Sequence, residues 1–244
     1  MATAHPILRA DGGYDMKNER KRSVLVSALI IAASFCLCVL ISTLIKTRGF
    51  LLGMTVLAVG SIFAFVYSSE TALKSSRRAV LCAIMTALCV VGRFIPVFKP
   101  VAALTVLAGI YLGAESGFLV GALSALLSNV FFGHGPWTPY QMLGWGLIGF
   151  AAGLLSGPLR RSAKGRRVII CAFGAVSAVL YSLLMDVFST LWYEETFSLA
   201  IYLATAFSAL PHTLIYIFSN VVFILLLSPS FSRKLERVEK KYGI

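Results

Sequence analysis

From Val24 to Leu227 the chain is a succession of apolar runs separated by short polar or basic intervals. A membrane-spanning helix needs about 20 mostly apolar residues, because a rise of 1.5 Å per residue must cover about 30 Å of hydrocarbon. Runs of that kind, repeated along the whole chain, leave almost nothing for a soluble domain. They predict an all-α membrane protein. Composition agrees: 13% of the residues are charged and 58% hydrophobic, where a soluble domain carries about 25% charged residues. In a soluble protein the net charge of +12 would suggest nucleic acid. Here the basic residues sit between apolar runs, so topology and anionic lipid account for them.

About eight transmembrane helices fit, over Val24–Ile45, Phe50–Ser68, Ala79–Ile95, Val101–Gly113, Gly117–Phe132, Gln141–Ser156, Val168–Thr190 and Pro211–Ser228. The fourth and fifth are joined by a turn at Ala114–Ser116, where Glu115 is the lone charge. Of the 22 Lys and Arg, all but Lys46, Arg48, Arg93 and Lys99 fall on one side of this eight-span arrangement. The positive-inside rule then puts both termini in the cytoplasm. Residues 1–23 form a basic cytoplasmic tail, residues 24–70 a transmembrane hairpin, and residues 231–244 a second basic tail. The first apolar run is longer than a signal-peptide core, so cleavage is not expected, and translation starts at Met1 or Met16. Thr196–Ala209 is apolar but only about 14 residues long, nearer an interfacial or re-entrant segment. It is placed at the outer face, leading into the last span at Pro211. Cys36, Cys38, Cys82, Cys89 and Cys171 lie inside apolar runs without metal-site or disulfide spacing, and read as small apolar residues.

Three features carry chemistry. Ala79, Ala83 and Ala87 recur every four residues and so share a helix face, removing bulk where another helix can approach; packing within the chain is the alternative. Gly149, Gly153 and Gly157 form a second small stripe. The segment Asn129–Gly146 reads NVFFGHGPWTPYQMLGWG, and its Gly and Pro residues argue against a regular helix throughout. It carries Asn129, His134, Trp137, Tyr140, Gln141 and Trp145, which can stack on and hydrogen-bond to a ligand. An interfacial aromatic anchor explains single members of that set but not the whole. Finally, Arg93, Asp186 and the His212, Tyr216, Asn220 series place polar groups in or beside spans, each a site hypothesis by default. Snorkelling to the interface, or an Arg93–Asp186 pair, is the simpler alternative for those two. The candidate substrate-binding residues are therefore Asn129, His134, Trp137, Tyr140 and Gln141, supported by Arg93, His212, Tyr216 and Asn220.

The alanine stripe resembles the AxxxA signature of the substrate-specific S components of energy-coupling factor (ECF) transporters. The run from Phe132 to Gly149 resembles an S-component subgroup with a GPWTPWQM-type segment, although Tyr140 stands where that subgroup has a second Trp. The resemblance covers about residues 75–230. It implies a six-helix S-component core shaped as a cup open to the outside, with the first two helices as an added N-terminal hairpin. It also implies that Ala79, Ala83 and Ala87 dock on a transmembrane coupling subunit resting on two ATPases, and that transport proceeds by toppling of the S component. The expected ligand is a vitamin or related cofactor. The subgroup points first to cobalamin or another corrinoid, with riboflavin and queuosine-type bases open. The expected setting is a bacterial cell membrane. The chain itself is expected to be no enzyme and to carry no cofactor or metal, because it has no GxxxxGK[ST] loop, HExxH spacing or GxSxG elbow. An ion-coupled carrier or a membrane-embedded enzyme are the rival classes. The carrier would need ionisable groups at the bilayer midplane, for which Asp186 is the one candidate.

Overall fold

The computed structural model describes residues 22, 24–34, 36–37, 40, 49–72, 76–161, 166–194 and 198–242. The N-terminal tail other than Arg22, together with Lys46 and Arg48 of the charge count and Cys38, lies outside the described residues. The elements are α1 (Val24–Ser34), α2 (Gly49–Ala72), α3 (Ser76–Gly92), α4 (Val101–Leu112), α5 (Ala114–Phe132), α6 (Thr138–Leu154), α7 (Ser156–Arg161), α8 (Arg166–Glu194) and α9 (Leu199–Tyr242). Among the described residues there is no strand, so the all-α expectation holds. By length and composition, helices over Ala114–Phe132, Arg166–Trp192 and Leu199–Phe231 can cross a membrane. The other expected spans fall on α1, α2, α3, α4 and α6.

Burial is concentrated in the middle of the chain. All of α4 is enclosed, with α3, α5, α6 and α9 packed around it. Its 12 residues measure about 18 Å, short of the hydrocarbon thickness, so protein neighbours rather than lipid satisfy its surface. Gly113 alone separates α4 from α5. Its φ of 104° is a conformation that side chains rarely adopt, which is why one glycine reverses the chain. The expected turn at Ala114–Ser116 is thus displaced: those residues already form the first turn of α5. Glu115 there is buried, at a helix N-terminus where a negative group is favoured.

The helices α4, α5 and α6 meet through glycine. A Cβ on Gly117 would run into the Gly149 carbonyl, and one on Gly149 into the Gly117 carbonyl. Gly109 lies equally close to Gly149 and Gly153, and Gly121 to the backbone of Trp145 and Gly146. Such contact replaces the hydrophobic effect, which does not bring helices together inside lipid, with close dispersion packing. The helices α1 and α2 add to this core: Ser27, Ser61 and Ala64 are buried, and Val24, Ala28, Ile31 and Phe65 pack against it. Many other aliphatic and aromatic side chains face outward, Val91, Val168 and Phe207 among them. On a soluble surface that pattern would be a liability. In hydrocarbon it is the expected exterior.

The C-terminal region is one long helix. Leu199–Ala209, expected as an interfacial or re-entrant segment, forms the first turns of α9, which continues through Pro211. The residues after Ser228 continue the same helix, which passes Pro229 and ends at Tyr242. Proline removes one donor and crowds the preceding turn, which stops most soluble helices. In a membrane the alternative to the helix is an unsatisfied backbone. Thr213 Oγ1 adds a bond of 3.1 Å to the Ala209 carbonyl across the turn that contains Pro211. Beyond Pro229, Lys, Leu, Arg and Glu favour helix, and Arg233 Nε donates to the Pro229 carbonyl at 2.9 Å.

Candidate ligand-binding site

The segment from Asn129 to Gly146 is more regular than its Gly and Pro content suggested. Asn129–Phe132 complete α5, only residues 133–137 are irregular, and α6 begins at Thr138. Gly133 takes a φ of 95° to end α5, and Pro139 falls in the first turn of α6, where its missing N–H has no helical partner to lose. The turn is closed by Thr138 N donating to the Gly135 carbonyl at 2.9 Å. The Trp137 ring folds over Gly135, where a side chain would strike it.

This turn brings together residues from three places. Arg93, in the turn after α3, donates through Nη1 to Ser128 Oγ and to Asn129 Oδ1 at 2.6 Å. Asn129 is buried, and its Nδ2 donates to Thr138 Oγ1 at 2.9 Å and to Gln141 Oε1 at 2.9 Å. Arginine can only donate, so it fixes the Asn129 amide with its oxygen toward Arg93 and its two protons toward α6. Ser128 sends its own proton to the Ser124 carbonyl, which leaves a lone pair for Arg93. The network thereby aligns the side-chain amide of Gln141, whose Nε2 retains both donors.

An aromatic stack adjoins the network. The Arg93 guanidinium lies 4.8 Å from the Phe132 ring centroid and 5.2 Å from that of Trp145. Trp145 stacks on Tyr181 at 5.6 Å, Tyr181 on Tyr216 at 5.6 Å, and Tyr216 on His212 at 5.8 Å. Trp145 Nε1 donates to the Tyr216 hydroxyl at 3.2 Å. Tyr216 is buried, while His212 is exposed at the end of the stack. One polar cluster and one row of rings therefore join α3, α5, α6, α8 and α9.

The structure gathers Arg93, Asn129 and Gln141 into the network, places exposed His134 and Trp137 at its rim, and sets Tyr216 and His212 in the stack. Tyr140 and Asn220 point elsewhere. Tyr140 is buried against Phe188, 4.7 Å between ring centroids, in a second small cluster with Leu143. Asn220 is buried one turn below Tyr216, where its Nδ2 donates to the Gly174 carbonyl at 3.0 Å. Thr138, Ser128 and Tyr181 belong to the site but carry no local sequence signal beyond their polarity. His134 Nδ1 and Thr138 Oγ1 are 3.5 Å apart. The arrangement is suited to holding a ligand.

Asp186 and Arg93 are not paired. Asp186 instead borders a cavity of about 280 Å³ between α8 and α9, with Ser182 and Thr213 as the other polar groups and Leu203, Phe207 and Leu210 among its apolar walls. Ser182 and Thr213 share a hydrogen bond of 2.6 Å. Ala83 and Ala87 are exposed on α3, and Ala79 is half-buried. Among the described residues, no packing covers Ala83 and Ala87.

No curated protein and no solved structure matches this chain. Residues 73–236 match the family model described as ECF-type riboflavin transporter, S component. The matched stretch takes in α3 to most of α9, including every residue of the network and the stack, and it spans well over half of the sequence. The chain belongs to the ECF-type riboflavin transporter S-component family.

Proposed function

We propose that this chain captures a vitamin or related cofactor at the outer face of a bacterial cell membrane, for import driven by an ECF coupling subunit and two ATPases. The observation that carries this reading is the Arg93–Asn129–Thr138–Gln141 network beside the Trp145–Tyr181–Tyr216–His212 stack. A few oriented polar groups against aromatic surface is the composition of a small-molecule site. Arg93, Asn129, His134, Trp137, Gln141, His212 and Tyr216 contact the ligand, and Tyr140 and Asn220 support the helices that carry them.

Two substrates are in contention. The GPWTP-type segment points to a corrinoid. Riboflavin is favoured by the family to which residues 73–236 belong and by the stack of flat rings, which suits a planar heterocycle. Isothermal titration of the purified chain with cobalamin and with riboflavin separates them. One of the two is expected to bind, and Asn129→Leu is expected to weaken it by about 1–3 kcal/mol. That variant strips Arg93, Thr138 and Gln141 of a partner at once. If neither vitamin binds, or if Asn129→Leu binds as well as the wild type, the assignment of this site is wrong.

Both termini are cytoplasmic in this reading, on the charge asymmetry alone. Topology reporters fused at residues 164 and 240 are expected to read cytoplasmic. An external signal at either position would overturn the orientation and, with it, the outward-facing site.

A further inference from the structure

We propose that Arg93 and Lys99 together form an anion-receiving mouth of the ligand site, so that the captured molecule carries a phosphate or carboxylate group, as a cobalamin or a riboflavin phosphate does and riboflavin itself does not. This rests on the site assignment above and adds a ligand class to it. The two cations share one aromatic platform. The Phe132 centroid is 4.8 Å from the Arg93 guanidinium and 5.8 Å from the Lys99 ammonium. Among the described residues, neither is paired with a carboxylate. Burial, and after it the charge of Arg93, pushes the Lys99 ammonium down from its usual range. Two like charges at the edge of a low-dielectric body repel, and an anion between them removes that cost.

The donors needed for such an anion are in place. Arginine has five N–H donors, and the two assigned hydrogen bonds both use Nη1. Three donors on Nη2 and Nε remain without a protein acceptor among the described residues. Lys99 supplies three more. Directly after it, α4 starts at Val101 behind Pro100 with no side-chain cap, which adds the partial positive charge of a helix N-terminus. Arg93 and Lys99 are also two of the four basic residues on the side that the positive-inside rule depletes, where an unpaired cation needs a local reason.

The loop that carries Lys99 is held in position. Its carbonyl accepts a hydrogen bond of 3.0 Å from Ser219 Oγ on α9. Val97, two residues earlier, has a φ of 64°, a conformation that costs energy for a β-branched residue. Strain of this kind persists where the surroundings fix it. The ammonium is thus presented from a fixed backbone, within electrostatic reach of a guanidinium fixed by Asn129.

The test uses the full chain in neutral phosphatidylcholine nanodiscs, with thermal unfolding followed in inorganic phosphate and in chloride at equal ionic strength. Phosphate is expected to raise the midpoint in a saturable manner. Arg93→Gln and Lys99→Gln are each expected to weaken the apparent phosphate affinity by about five-fold or more. Lys99→Gln leaves the Asn129 network untouched, so it remains informative if Arg93→Gln fails to fold. No phosphate-specific shift, or an equal shift in Lys99→Gln, would overturn the proposal. A second arm replaces phosphate with phosphatidylglycerol in the disc. A shift in that arm, with none from free phosphate, makes a lipid headgroup the occupant and also overturns it. Riboflavin and cobalamin titrations on the same preparation keep the two readings apart. Vitamin binding without a phosphate effect removes only the anion mouth, and a phosphate effect without vitamin binding removes only the vitamin assignment.

Discussion

Gly149→Val is expected to prevent the bundle from closing. Its Cβ would overlap the Gly117 carbonyl and press on the Thr105 methyl. Neither can withdraw, because Gly117 lies on α5 and Thr105 on α4, both buried. The helices would have to part along the contact that also seats Gly109, and overpacking against backbone costs more than overpacking against a flexible side chain. A loss of about 3 kcal/mol or more is expected, seen as a collapse of the thermal midpoint and of the monodisperse fraction in detergent. Gly157→Val is the control, because a Cβ there meets nothing. A Gly149→Val protein as stable as that control would mean that α5 and α6 do not cross as described.

Ala83→Trp is expected to act in the opposite manner, sparing the chain and abolishing its assembly. Ala83 and Ala87 lie exposed on α3 among the described residues, so an indole there is directed outward from the described bundle. At the proposed contact with the coupling subunit it would hold two backbones apart. Co-purified coupling subunit is expected to fall by about ten-fold or more, with vitamin affinity unchanged. Parallel loss of folding and assembly would assign the stripe to internal packing after all.

The apolar runs made the helical class legible because lipid leaves the backbone few alternatives. Arg93, Asn129 and Gln141 were legible for the complementary reason: a polar group in an apolar run needs a partner. Helix geometry explains the misplacement of Tyr140. Thr138, Gln141 and Trp145 follow one face at intervals of three and four, and Tyr140, one residue from Gln141, is turned about 100° away toward Phe188. Asn220 drifts for a related reason, since steps of four overshoot a turn by about 40° each. His212 and Tyr216 still overlap, while Asn220 has rotated onto Gly174. Tyr181 gave no signal at all, because its place between Trp145 and Tyr216 is decided by tertiary packing. Helix α9 continues through both prolines because local hydrogen-bond arithmetic, sufficient in water, is overruled in lipid.

Those prolines divide α9 in a telling proportion. The stretch from Pro211 to Pro229 is about 18 residues, or about 27 Å, close to the thickness of the hydrocarbon layer. Kinks in long helices concentrate at proline. The two prolines therefore mark the points at which α9 can bend, with a stretch of membrane-spanning length between them. The middle member carries Tyr216, Asn220 and the Ser219 clamp on the Lys99 loop. One outer member walls the cavity beside Asp186, and the other carries Arg233, Lys234 and Arg237. Each end can change its angle without disturbing the ring stack, whereas a tilt of the middle member must carry Tyr216 and the Lys99 loop with it.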